Sequence, residues 1–201
     1  MSISRVPLLD DEEPLTLNVS SAGLTDAQFY QLCADNPELR LELTAKRELL
    51  IMSPTGGKTG RRNARLTERL ARWAEEDATG VTFDSSTGFT LPNGAKRSPD
   101  ASWVKRERWE SLSEEQQEGF VPLCPDFVVE LRSRRDRLAT LQAKLEEYVE
   151  NGARLGWLID PAVKRVYVYE PGKAVERLEK PESLSGEPVL RGFRFDVSEG
   201  W

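Results

Sequence analysis

Apolar positions recur along this chain at two periods, and the switches between them lay out an α/β protein. From residue 39 to 43 apolar and charged side chains alternate strictly (Leu39, Arg40, Leu41, Glu42, Leu43), the period of a strand with one face on a core. Residues 48–52 follow with Leu49, Leu50, Ile51 and Met52, and the two segments read as a β-hairpin. Upstream, Thr25-Asp26-Ala27-Gln28 has the spacing of a capping box and predicts a short helix to about Cys33. Over residues 61–76 the period becomes helical, with Leu66, Leu70 and Trp73 on one side. Strands are predicted over 81–91, 96–104 and 125–132. The turn Pro92-Asn93-Gly94 divides the first two, and an acidic surface helix within 107–119 divides the last two.

The clearest helix comes next. Leu138, Leu141, Leu145 and Tyr148 form its apolar stripe, Ser133-Arg134-Arg135-Asp136 has capping-box form at its start, and Asn151-Gly152 ends it. Residues 155–160 read as a buried strand, Asp160-Pro161 as a turn, 165–169 as a further strand, and Phe193-Arg194-Phe195 as one more strand in a mixed tail. Strand, helix, strand over 128–159 predicts a parallel crossover, so the expected fold is α/β with a mixed sheet. With 201 residues and no internal repeat, residues 21–201 are expected to form a single domain, preceded by a loosely ordered arm over 1–20.

Composition narrows the chemistry. Histidine is absent, which excludes Ser-His-Asp and Cys-His sites and any His-ligated metal. Cys33 and Cys124 match no zinc spacing and read as reduced thiols. No apolar stretch reaches the length of a membrane span, and residues 1–14 lack the layout of a signal peptide, so a cytoplasmic protein with no membrane partner is expected. The net charge of -6 is unevenly spread: Lys58, Arg61, Arg62 and Arg65 form one basic cluster, and Arg132, Arg134, Arg135 and Arg137 another. Local patches matter more to a phosphate backbone than the total does.

Two carboxylates stand out. Glu130 lies inside the apolar run Phe127-Val128-Val129-Glu130-Leu131, where a carboxylate needs a partner or a task. Asp100 follows Pro99 in the preceding strand. Carboxylates on neighbouring strands with a cation nearby can hold a divalent metal against a phosphodiester. Asp126 is the rival to Asp100, but it precedes Glu130 on the same strand by about 13 Å at ~3.3 Å per residue, too far to share one ion. Lys144, on the predicted helix beside Leu141, is placed to orient water and offset developing charge. Gln142 and Arg132 are supporting candidates. The residues alone leave open whether Glu130 and its cation form a site or a structural ion pair.

Pro99-Asp100 followed by Glu130-Leu131-Arg132 resembles the PD-(D/E)XK nuclease pattern, with Arg132 where that pattern has Lys. More specifically, the segments LLIMSPTGGKTGRRN, SPDASWV, PDFVVELRS and LATLQAKLEEYVENGARLGWLIDP resemble the Uma-two family of restriction-endonuclease-like proteins. The resemblance implies a restriction-endonuclease-like core, a central mixed β-sheet flanked by helices with an N-terminal β-hairpin. It also implies a Mg²⁺ (or Mn²⁺) requirement, Asp100 and Glu130 as metal ligands, and Lys144 as the catalytic lysine moved from strand to helix. The Leu131 carbonyl is the expected third ligand. DNA is the expected substrate, with Lys58, Arg61, Arg62, Arg134 and Arg135 on its phosphates, and a homodimer would supply two sites for a duplex. Arg134-Arg135 stands where the family has Pro-Ser, and Arg47 where it has Gly. Two other classes compete: an inert nucleic-acid-binding module on the same fold, and a paired-carboxylate glycosidase, disfavoured because no sugar-stacking aromatic cluster accompanies Asp100.

Overall fold

A computed structural model describes residues 14–200 and divides them between two main sheets. In chain order the elements are β1 (Leu15–Asn18), α1 (Asp26–Asp35), β2 (Arg40–Leu43), β3 (Glu48–Met52), α2 (Gly57–Asp77), β4 (Gly80–Asp84), β5 (Phe89–Thr90), β6 (Lys96–Arg97) and β7 (Ala101–Lys105). Then follow α3 (Arg106–Glu110), α4 (Glu114–Glu118), β8 (Phe127–Leu131), α5 (Leu138–Glu150), β9 (Leu155–Asp160), β10 (Arg165–Tyr169), β11 (Glu176–Glu179), β12 (Ser183–Ser185) and β13 (Arg194–Asp196). The central sheet has the order β11-β10-β9-β8-β7-β4, and the N-terminal sheet the order β1-β3-β2-β6-β5.

The predicted crossover is present: β8 and β9 pair in parallel, Phe127 opposite Leu155 and Leu131 opposite Ile159, with α5 between them in sequence. The other pairings of the central sheet are antiparallel, which makes it mixed. Because β8 is central it is covered on both faces, and Phe127 to Leu131 are all buried. One face packs Phe127, Val129 and Leu131 with Leu66 and Leu70 of α2 and with Phe193 and Phe195 of the tail. The other packs Val128 with Leu145 and Tyr148 of α5. Helix α5 lies close on the sheet at Gly156, where a Cβ would stand 2.7 Å from Leu145 Cδ1.

Several expectations change. Leu15–Asn18, expected in a loose arm, pairs with β3, Leu15 opposite Ile51; residues 1–13 of that arm lie outside the described residues. The predicted strand 81–91 is two strands in different sheets, because Asp84 Oδ1 accepts from Ser86 N–H at 3.0 Å and turns the chain. The predicted strand 96–104 also divides, at Ser98-Pro99, since proline cannot donate to the ladder. There the chain leaves the N-terminal sheet for the central one, and Asp100 sits at the crossing. The acidic helix over 107–119 is two short helices, the second capped by Ser113 and Gln116.

Candidate active site

Strands β8 and β2 and helix α2 converge on Asp100. Ala101 lies opposite Val129, which brings Asp100 beside the end of β8. Its Oδ2 accepts the Leu131 N–H at 2.8 Å, and its Oδ1 accepts Asn63 Nδ2 of α2 at 3.0 Å. Arg40 Nη1 stands 3.5 Å from the same Oδ1. Along a strand a residue's N–H and C=O point to the same side, so the Leu131 carbonyl is also directed to the Asp100 edge.

Glu130 shares the face of Val128, toward α5. Lys144 Nζ meets its Oε1 at 2.8 Å, and the Tyr148 hydroxyl donates to the same atom at 3.3 Å. The structure therefore brings Asp100, Glu130 and Lys144 together. It adds a carboxylate that the sequence reading passed over: Glu42 Oε1 also lies 2.8 Å from Lys144 Nζ. Glu42 Oε2 accepts from Arg97 Nη1 at 3.1 Å, and Arg97 Nε meets Glu147 Oε2 at 2.6 Å. Glu42 is 1% exposed. In sequence it is the polar half of an alternating strand, a pattern that normally marks a solvent face; Arg97 and Glu147 carried no signal beyond their charge.

The two buried carboxylates titrate in opposite directions. Burial pushes Glu130 up to about 7, and Asp100 and Glu42 add to this, against the lowering effect of Lys144. Burial also acts to raise Glu42, but Lys144 and Arg97 override it and hold that carboxyl well below the usual range. Lys144 is raised: burial would lower it, and Glu130 and Glu42 prevail. The difference is one of counter-charge, since Lys144, Arg97 and Arg40 all act on Glu42, whereas Lys144 is the cation that acts most on Glu130.

The supporting candidates lie elsewhere. Arg132 Nη1 pairs with Asp160 Oδ2 at 2.6 Å and its Nε donates to the Asp136 carbonyl at 3.0 Å, so it staples the end of β9 instead of serving the carboxylates. Gln142 is two positions from Lys144, about 200° around the helix, and lies by Tyr169. Asp126 is structural, as its Oδ2 accepts from Lys105 N–H and meets Arg108 Nη1, each at 2.9 Å. Lys58, Arg61 and Arg62 lie on the first two turns of α2, next to the Asn63 that holds Asp100, and Arg134 and Arg135 are exposed in the loop between β8 and α5.

The profile of the Uma2 family, described as "Putative restriction endonuclease", matches residues 26–198. The chain belongs to the Uma2 family. Among solved structures it is similar to a protein of Anabaena variabilis ATCC 29413, described as a "putative nuclease belonging to DUF820", with TM-score 0.67, 19% identity, and 79% of this chain and 88% of that one covered. That likeness shows the fold: an α/β domain with a central mixed sheet, flanking helices and N-terminal strands. A weaker similarity, TM-score 0.38 and 19% identity, is to a chain of the DrdV–DNA complex, covering 60% of this Uma2 protein and 10% of that chain. No curated protein matches. No described helix is long and apolar enough to cross a membrane.

Among the described residues no group of three or more His, Cys, Asp or Glu side chains is arranged to hold a metal ion. Mg²⁺ asks for less: it keeps several waters and takes one or two carboxylates. Asp100 and Glu130 are hard oxygen donors of that kind, and burial disfavours the charged form of Glu130 where no metal cation is present to balance it. The residues present fit a hard divalent cation.

Proposed function

We propose that this Uma2 protein is a Mg²⁺- or Mn²⁺-dependent endonuclease hydrolysing phosphodiester bonds in DNA, acting in the cytoplasm as a homodimer. The observation that carries the reading is Lys144 held 2.8 Å from a buried Glu130 whose neighbour is Asp100. Asp100, fixed by Asn63 and the Leu131 N–H, would hold the ion with Glu130 and the Leu131 carbonyl. When bound, such an ion supplies Lewis acidity at the phosphate and lowers the pKa of a coordinated water. Lys144 donates a hydrogen bond to the attacking water and offsets the charge that develops on the phosphate oxygens. Lys58, Arg61, Arg62, Arg134 and Arg135 receive the flanking phosphates, which sets register without reading sequence.

The test is cleavage of supercoiled and linear DNA with Mg²⁺ or Mn²⁺. Wild type should cut, and Asp100→Asn and Lys144→Met should each lose at least about 100-fold in rate, the scale of lost electrostatic stabilisation. Cleavage by Asp100→Asn at the wild-type rate sinks the site assignment. Salt-dependent DNA binding by wild type with no cleavage under either ion makes the protein a binding module on a nuclease fold.

A further inference from the structure

The side chains of β2 on the site face reach both arms of the proposed centre. Arg40 and Glu42 alternate with Leu41 and Leu43, which turn the other way to pack with Phe29 of α1. Together they grip Ser98, the residue before Pro99-Asp100. Glu42 Oε1 accepts the Ser98 N–H at 3.1 Å, and Arg40 Nη2 donates to the Ser98 carbonyl at 2.8 Å. Both polar groups of one peptide position are thus held by one strand, at the point where the chain changes sheets. Arg40 also reaches Asp100 directly.

The same Glu42 carboxylate holds Lys144, and a second circuit closes behind it. Arg97 of β6 joins Glu42 to Glu147, which lies three residues after Lys144 on α5, and Asn93 Nδ2 donates to Glu147 at 3.0 Å. Lys144 therefore has two acceptors at equal distance, only one of which is a proposed metal ligand. A cation at Asp100 and Glu130 would draw on the Glu130 charge. Glu42 would then be the fixed anion that keeps the ammonium in place.

We infer that Arg40 and Glu42 are positioning residues: a clamp on β2 that sets Asp100 through Ser98 and shares Lys144 with Glu130, so that the ammonium keeps an anionic partner when a cation takes the Glu130 carboxylate. This rests on the reading of Asp100 and Glu130 as metal ligands. Without the Glu42 charge, Lys144 has Glu130 as its remaining anionic partner at that distance and competes with the metal for it.

The experiment is calorimetric titration of Mn²⁺ into wild type, Glu42→Gln, and Glu42→Gln combined with Lys144→Met, with acetylation of lysines mapped on the same samples by mass spectrometry. Glu42→Gln should weaken Mn²⁺ binding about 10- to 100-fold, the usual effect of losing a group that orients a metal ligand. Removing the lysine in that background should return affinity to within a few-fold of wild type, a rescue that a merely structural role of Glu42 does not produce. Lys144, left with one anionic partner of two, should be acetylated faster in Glu42→Gln than in wild type, while Lys96, 2% exposed on β6, stays protected in both and reports an intact fold. Wild-type affinity in Glu42→Gln, or no rescue in the double variant, overturns the clamp. No Mn²⁺ binding by wild type removes the metal reading instead, and the protection of Lys144 then decides the clamp alone: protection unchanged in Glu42→Gln overturns it. Where Glu42→Gln does not fold, Glu42→Asp, which draws the charge back by one methylene, is expected to speed acetylation of Lys144 with Lys96 still protected.

Discussion

At the scale of single residues the balance of charge around Lys144 decides how stability follows pH. Glu130 ionises near 7 in the fold and at about 4.5 in its ordinary state, because burial and the nearby carboxylates disfavour its charge. The folded protein therefore holds a proton that the unfolded chain has released. Its stabilising effect is complete below about 4.5 and is lost as pH rises to about 7. Glu42 has the opposite sign: its contribution is present above about 4.5 and is lost as pH falls toward about 2. Glu130→Gln keeps the shape and removes the buried charge. Its Tm should exceed that of wild type by about 5 °C at pH 8 and converge with it below pH 5, read by thermal denaturation across pH. A Tm at pH 8 below that of wild type would mean that the pair with Lys144 outweighs the cost of burying Glu130. Arg47 is a second residue-scale departure: it has φ +61°, a conformation suited to the glycine that the resemblance leads one to expect, and its guanidinium donates to the Leu24 carbonyl.

At the scale of elements the two capping boxes read from sequence have different fates. Thr25 caps α1: its Oγ1 accepts the Gln28 N–H at 3.2 Å, and the Gln28 side chain accepts the Thr25 N–H at 2.8 Å. At Ser133 the same letters close a loop instead. Its N–H donates to Asp136 Oδ2 at 2.7 Å, and α5 begins only at Leu138, after Arg137. The pull of Arg132 toward Asp160 and the Asp136 carbonyl holds those residues out of the helix. Thr25→Ala should cost about 1 kcal/mol. Ser133→Ala should cost less than about 0.5 kcal/mol, as for a loop substitution away from such features. Urea denaturation of both variants checks the pair; equal losses would place Ser133 in a cap after all. The divided strands have the same origin, since apolar patterning runs across Asp84 and Pro99 without recording which sheet each half joins.

At the scale of the whole molecule, an acidic chain presents a basic end. The net charge is -6, yet Lys58, Arg61 and Arg62 open α2 beside Asn63, which donates to Asp100. On the proposed reading, Arg61→Gln with Arg62→Gln should lower the slope of log affinity for duplex DNA against log salt by about 2, near 0.9 for each phosphate no longer neutralised, with little change in Mn²⁺ affinity. Fluorescence anisotropy over a salt series measures it. An unchanged slope would move the DNA path away from this end of α2.

The sequence by itself determined the longer elements and marked Glu130 as a buried carboxylate. Helical and strand periods were enough for α2, α5, the β2–β3 hairpin and the β8–β9 crossover, because each depends on burying one stripe or face. A carboxylate inside an apolar run marked Glu130 for the same reason: burial of charge is costly, so the exception carries information. The tertiary structure alone decided which polar face was buried. Glu42 and Arg40 lie on a strand whose alternation is that of an ordinary half-exposed strand, and they enter the site because β2 meets Lys144 of α5 and the Ser98–Asp100 segment. Periodicity records which side chains share a face. What that face meets depends on packing between segments distant in the chain, 102 residues apart for Glu42 and Lys144.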